Sequence, residues 1–271
     1  MTEDVAQSWV PPDVDVQRPS VARIYDFLLG GAHNFKADRE IVTKLLAVQP
    51  NVRDIARRNR AFLQRVVRYL VDQGVRQFLD LGSGIPTVGN VHEIAQAAAP
   101  GTRVVYVDYE QVAVAHSELL LAHIDDADVV HADVTSTDDV LNAPATRELL
   151  DFTRPIGILA VTLGHYIAPE SDPVGMFARY RDAVPSGSCL AITHLTDDFA
   201  SVHGEQIVET MRSTRDNVYP RTRAEVMELF TGFELVPPGL VTTSRWHPEP
   251  GVTATVDPEE DGLYAAVGRK P

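Results

Sequence analysis

Three short apolar runs in the first half of the chain each end in an acid, and the residues around those acids are the ones best suited to chemistry. QFLDL carries Asp80 and passes into Leu81-Gly82-Ser83-Gly84-Ile85-Pro86-Thr87. Glycines in such a turn let the backbone bend sharply and approach a ligand with no side chain between. RVVYVD ends on Asp108, with Tyr109 next, and ADVVHAD ends on Asp133, with Val134 next. If the runs are parallel strands, the three acids share one sheet edge, where ligands bind in such folds. There Asp80 can hold an amino group directly or through water, and Asp108 can accept two ribose hydroxyls. Asp133 can accept an adenine amino group while the Val134 amide faces the ring. Singly, Asp108 or Asp133 is equally a turn residue or helix cap, and a lone glycine-rich loop is equally a tight strand–helix turn.

The kind of nucleoside follows from charge. A dinucleotide site would usually show G-x-G-x-x-G, with a pyrophosphate at the helix N-terminus. Here Thr87 takes the place of the third glycine, and an acid precedes the first. A carboxylate repels a pyrophosphate but favours the cationic methionine portion of S-adenosylmethionine. A nicotinamide-dependent oxidoreductase is therefore the remoter alternative.

Strands and helices must alternate to bring these acids together. Residues 1–17 read as a flexible arm with Trp9 a candidate anchor. Residues 18–75 read as helical, with breaks at Gly30-Gly31 and near Asn51 and a stop at Gly74. From residue 76 apolar runs alternate with helix-compatible stretches at 88–98, 111–122, 136–150, 172–183, 201–214 and 222–230, which implies a mainly parallel sheet covered on both faces. The last two runs are joined by 237–261, which shows no helical pattern. That predicts a reversed final strand. The expected fold is α/β: a Rossmann-like, seven-stranded, mostly parallel sheet over 76–271 with its last strand antiparallel, preceded by an N-terminal helical lid.

Composition narrows the partners. Net charge is −14, from 24 basic and 38 acidic residues, which opposes binding to a phosphate backbone. Arg53, Arg57, Arg58, Arg60, Arg65 and Arg68 recur at largely helical spacing and read as a solvated helix face rather than a nucleic-acid patch. No apolar run approaches a membrane span, and the start of the chain is not a signal peptide. The single cysteine, Cys189, lies in an apolar run, reads as a buried small hydrophobe and fits a cytoplasmic setting. The nine histidines show no metal-binding spacing, so no metal is expected. Acid–base candidates are few: His165 and Tyr166 after the fourth strand, and His194 at the end of the fifth. For both histidines a structural hydrogen-bonding role competes, and methyl transfer from a sulfonium often needs no base.

DLGSG, the YVD strand end and HADV match the ordered motifs of Rossmann-like S-adenosylmethionine-dependent methyltransferases. More narrowly, residues 18 to 270 resemble a bacterial S-adenosyl methyltransferase family, formerly a domain of unknown function. That match rests on RPSVARIYDFLLGGAHNFKADRE (18–40), RRNRAFLQRVVRYL (57–70), LGHYIAPESDP (163–173) and SRWHP (244–248). The resemblance implies S-adenosyl-L-methionine as cofactor and helices that fold over it. It implies lid contacts from Tyr25, Gly30, His33, Asn34 and Phe35, and Arg60 on the methionine carboxylate. The glycine loop (Gly82, Ser83, Gly84), Asp80, Asp108, Tyr109, Asp133 and Val134 complete the cofactor set, with Thr162 and Leu163 near the sulfonium and methionine chain. For Tyr25 and Phe35 a core role competes, and for Asn34 a turn role. The expected reaction is methyl transfer to a small-molecule acceptor, with no nucleic-acid or membrane partner. A catalytically silent S-adenosylmethionine-binding protein is the main alternative. Acceptor and oligomeric state are not legible.

Overall fold

Apolar residues three and four apart in the opening stretch leave it little choice but helix. In a computed structural model, which describes residues 14–87, 89–199, 204–249, 251 and 256–271, three helices come first. They are α1 (Val21–Leu28), α2 (Lys36–Val48) and α3 (Val52–Asp72). Alternation follows: β1 (Gln77–Leu81), α4 (Val91–Ala98), β2 (Arg103–Asp108), α5 (Gln111–Leu121), β3 (Ala127–His131), α6 (Thr137–Asn142), α7 (Pro144–Leu149) and β4 (Gly157–Val161). Then come α8 (Pro173–Ala183), β5 (Cys189–Leu195), α9 (Gly204–Met211), α10 (Arg223–Glu228), β6 (Glu234–Leu235), β7 (Val241–Thr242), α11 (Pro258–Asp261) and β8 (Leu263–Arg269).

The strands form one sheet in the order β3-β2-β1-β4-β5-β8-β6, with β7 also on β8. Strands β1 to β5 run parallel, and β8 is antiparallel to β5 from Cys189↔Arg269 to Leu195↔Leu263. The reversed last strand is as the sequence predicts. The count is eight rather than seven, because the outer partner of β8 comes in two pieces, Leu235 opposite Gly268 and Val241 opposite Ala265. Pro237 and Pro238, which have no N–H to donate, fall between the pieces. The single helix predicted over 136–150 is likewise two, since Pro144 at the first position of α7 starts a new helix.

Helix α3 covers one face of the sheet with Phe62, Val66, Val67 and Leu70, all fully buried. The 237–261 stretch is not a free loop: Trp246 is fully buried against Phe62, their rings 5.3 Å apart edge to face. Nor is the arginine series of α3 a merely solvated face. Arg65 donates to the carbonyls of Trp246 and Thr243, Arg58 pairs with Asp261 at 2.9 Å, and Arg53 caps the carbonyl of Phe27. These arginines fasten the C-terminal loop and α1 to α3. Trp9 lies outside the described residues, while Val14, expected in a flexible arm, packs beside Ile85 and Phe35. Among the described residues no helix is long and apolar enough to cross a membrane.

Helices α1 and α2 share an apolar cluster with Met211 and Val218, on the side where the parallel strands end. A buried charge cluster fixes them there. Arg23, 2% exposed, donates from Nε to Asp38 (2.9 Å) and from Nη1 to Glu110 (2.6 Å), the N-cap of α5. Removing one member of such a cluster strands its partners as uncompensated buried charges, at about 3–5 kcal/mol. Arg23→Ala should lose stability of that order in urea unfolding, and Arg23→Lys, lacking the planar fork, should recover only part. A loss below about 1 kcal/mol would show that the cluster behaves like an exposed ion pair.

Candidate functional site

The turn after β1 is built as its glycines require. Gly82 and Gly84 have φ of +66° and +68°, a region costly to residues with a Cβ. A Cβ on Gly82 would lie 2.7 Å from Leu163 Cδ1, so the backbone there forms a close cradle. The Gly82 amide donates to the Val107 carbonyl at 2.8 Å, and the Gly84 amide to Asp108 Oδ2 at 2.7 Å. The other Asp108 oxygen accepts the Glu110 amide at 2.8 Å.

Beyond this turn lies a cavity of about 430 Å³, within the range of small-ligand sites. Of the residues singled out from sequence, Tyr25, Arg60, Asp80, Gly82, Ser83, Gly84, Asp108, Tyr109, Asp133, Val134, Thr162, Leu163 and Tyr166 all line it. Gly30, His33, Asn34, Phe35, His165 and His194 are not among the lining residues.

The absent lid residues shape the joint between α1 and α2 instead. Asp26 accepts the His33 amide at 2.9 Å and Asn34 Nδ2 at 3.0 Å. A Cβ on Gly31 would sit 1.9 Å from Asp26 Oδ1, so the loop wraps this buried carboxylate. Gly30 supplies the left-handed turn at φ +90°. Phe35 donates its amide to Asp38 at 2.8 Å and lies under the Arg23 guanidinium. His33 packs on His116 of α5, ring centroids 3.9 Å apart.

His165 and His194 have fixed tautomers one layer behind the cavity. Arginine only donates, so Arg221 Nη1, 2.9 Å from His194 Nε2, requires that nitrogen to accept. The His194 proton is then on Nδ1 and donates to the Leu195 carbonyl at 2.6 Å. His165 Nδ1 accepts the Leu195 amide at 3.3 Å. Burial pushes His194 down to about 4 and His165 well below its ordinary value. Both rings therefore stay neutral at physiological pH and buttress the turn that carries Tyr166.

Four groups at the cavity carry unmet polar capacity: Asn59 Oδ1, Ser83 Oγ, Arg60 Nε and Asp216 Oδ2 are buried without hydrogen-bond partners. Asn59, 1% exposed, donates instead to the Tyr25 hydroxyl at 2.8 Å. Sequence reading passed over it, although a polar residue in the apolar stripe Ile55, Phe62, Val66 was the available signal. The Asp80 carboxyl makes no hydrogen bond among the described residues. Burial raises its carboxyl to about 7 against the pull of Arg60, and raises Asp108 to about 6 despite two amide donors. Asp133 closes a turn onto Thr135, at 2.8 Å to its amide and 2.7 Å to its hydroxyl. The turn roles of Asp108 and Asp133 are thus real, and each still faces the cavity. Arg215, Asp216, Asn217 and Tyr219 form part of the opposite wall. That turn-like stretch has no periodicity, and nothing in the sequence marked it.

A ligand with an ammonium, a carboxylate and a nucleoside matches this donor set: carboxyls held near neutrality by burial, an orphaned amide oxygen, and one cavity-lining guanidinium with spare capacity. Residues 7–271 match the family described as S-adenosyl methyltransferase. The chain is similar to a candidate methyltransferase from Thermobifida fusca YX, at 39% identity over 97% of this chain and 99% of that one, with a TM-score of 0.91. It is also similar to a DUF574 family protein from Streptomyces avermitilis MA-4680, at 37% identity over 95% and 99%, TM-score 0.90. No curated protein matches the sequence. The chain belongs to the S-adenosyl methyltransferase family, and S-adenosylmethionine is its cofactor.

The raised carboxyls have a measurable consequence. A cationic ligand binds the ionised form of Asp80, so affinity for S-adenosylmethionine should be full above about pH 7 and fall by up to tenfold per unit below it. The sign reverses for the ligand-free protein. A folded-state value above the unfolded one contributes stability below about pH 4 that is lost as pH rises through about 7. Calorimetric titration from pH 5.5 to 8.5 should show this slope, and Asp80→Asn should flatten it. A pH-independent affinity would remove Asp80 from contact with the ligand's charge.

Proposed function

We propose that this member of the S-adenosyl methyltransferase family transfers the methyl group to a small-molecule acceptor in the cytoplasm. The observation that carries the reading is the pair of buried carboxyls, Asp80 and Asp108, opening on one cavity closed over by α1 and the 215–219 segment. A cavity of about 430 Å³ favours a small acceptor. The net charge of −14 opposes a nucleic-acid acceptor. A single, unpaired buried cysteine is consistent with the compartment.

When bound, S-adenosylmethionine supplies a methyl group already activated on a cationic sulfur. Asp80 and Asn59 Oδ1 would hold the ammonium, Arg60 the carboxylate, and Asp108 the ribose hydroxyls, with Tyr109, Asp133 and Val134 around the adenine. Thr162 and Leu163 would run beside the methionine chain. Thr162 sits at φ +57°, costly for a β-branched residue, with its amide held by Thr193 Oγ1 at 2.8 Å. Such a conformation, imposed by its surroundings, suits a residue that sets alignment. Orientation supplies much of the rate in a displacement of this kind. Tyr166 lines the cavity and its phenol is pushed up by burial, so it serves as a hydrogen-bond donor rather than a base. His165 and His194 position that turn. Helices α1 and α2, over residues 18–48, form the lid, with Tyr25 its contact and the 30–35 joint holding its shape.

The test is ligand binding followed by turnover. Calorimetry should show S-adenosylmethionine or S-adenosylhomocysteine binding more tightly than a nicotinamide dinucleotide. Asp108→Ala should cost about tenfold or more, as charge-assisted bonds to the ribose are lost. Binding should slow hydrogen exchange at residues 20–40. Production of S-adenosylhomocysteine over a panel of small nucleophiles then separates an enzyme from a silent binding protein. Tight binding with no turnover on any of them would favour the latter.

A further inference from the structure

The wall opposite the cofactor acids carries a charge that the reading above does not use. Asp216 lies between α9 and α10, and its Oδ2 is buried with no hydrogen-bond partner. It forms no ion pair among the described residues. Its neighbour Arg215 stacks over the Tyr109 ring, 4.4 Å from guanidinium carbon to centroid. The Tyr109 phenol after β2 hydrogen-bonds the carboxylate, the Tyr166 phenol after β4 feels its charge, and Tyr219 follows in the same wall. The segment is not loose. The Arg215 amide donates to the Pro19 carbonyl at 3.1 Å, Tyr219 to His165 at 2.7 Å, and Arg221 to Leu195 at 3.2 Å. Asp216 is thus held rigidly over the cavity with one oxygen unmet.

A carboxylate among aromatic rings is a receptor for positive charge. The rings attract a cation by their faces, and an orphaned buried acceptor gains most from a charged donor. Asp216, Asp133, Asp108 and Asp80 outnumber the guanidiniums of Arg60 and Arg215 that line the same cavity, so an anionic group is disfavoured there. Building on the methyltransferase reading, we propose that Asp216, with Tyr166 and Tyr219, forms the acceptor subsite, and that the acceptor is a small molecule bearing a basic, protonated nitrogen. Burial raises the Asp216 carboxyl above its ordinary value against the pull of a Tyr109 hydrogen bond and of Arg215 and Arg18, so its compensation within the protein is incomplete.

Matched probes test this on the full-length protein saturated with S-adenosylhomocysteine. Tyramine would be compared with 4-hydroxyphenylacetate, and tryptamine with indole-3-acetate, by saturation-transfer NMR and calorimetry. In at least one pair the amine should bind about tenfold or more tightly than the carboxylate. Asp216→Asn, which keeps the shape and removes the charge, should abolish that preference while leaving S-adenosylhomocysteine affinity within about twofold. No amine preference in either pair, or a preference that survives Asp216→Asn, overturns the proposal. So does an Asp216→Asn protein that loses affinity for S-adenosylhomocysteine itself, since Asp216 would then belong to the cofactor. Failure of the wild-type protein to bind S-adenosylhomocysteine at all is a different result, and it removes the methyltransferase reading first.

Discussion

The architecture turns on one buried guanidinium. Arg23 of α1 reaches Asp38 at the start of α2 and Glu110 at the start of α5. Glu110 also caps α5 through the Ala113 amide and donates its own amide to Asp108, which in turn holds the Gly84 amide. A continuous chain of hydrogen bonds therefore runs from the two lid helices to the glycine turn under the cavity. Charges this well buried tolerate little misplacement, because each partner left alone would bear its full desolvation cost. Helices α1 and α2 are consequently registered on Asp108, an acid that lines the cavity, rather than resting on the domain through apolar contact alone.

The same low-dielectric setting explains the charge state of the cavity. Asp80 and Asp108 are both 6% exposed, yet one has no hydrogen-bond partner among the described residues and the other has two amide donors. Amide donors normally depress a carboxyl; here desolvation wins in both, less so in Asp108. The ligand-free protein is destabilised by holding these acids out of water, and a cationic ligand reverses that cost. A pyrophosphate would add to it. The electrostatics of the strand ends therefore favour a cationic ligand, a constraint beyond the pattern of glycines.

Much of this was readable in the sequence where a residue's role depends on its own strand. The apolar runs ending in Asp80, Asp108 and Asp133 declared a parallel sheet and its ligand edge, since strand period and glycine turn are local properties. The reversed β8 followed from the long connection before it. What stayed hidden depends on partners distant in the chain. Asn34 and Phe35 resemble ligand-facing residues in sequence, but they are engaged by Asp26, Asp38 and Arg23. The arginines of α3 looked solvated because their partners, Trp246, Thr243 and Asp261, lie some two hundred residues away. The split of the β8 partner at Pro237-Pro238 and of 136–150 at Pro144 was locally encoded and underweighted.

The two walls of the cavity hold opposite kinds of order, and that difference bears on how the site works. On the β4–β5 side, Arg221 donates to the carbonyls of Gly164 and Ile167 and to His194, so the turn bearing Tyr166 is clamped from behind by a buried cation. Because that cation forces His194 Nε2 to accept, protonating the ring would place two positive charges in contact. The layer is stable only with neutral histidines. On the other side, the 215–219 segment meets the start of α1 through the backbone bond from Arg215 to Pro19 and the apolar cluster of Ile24, Met211 and Val218. Apolar contact and one hydrogen bond part more readily than a buried ion network. The Arg23 cluster holds α1 to the cofactor side, and the bonds from Tyr219 and Arg221 hold the far end of the other segment. Anchored from both ends, these walls keep Asp216, Asp108 and the Tyr166 turn in a fixed relation around one cavity.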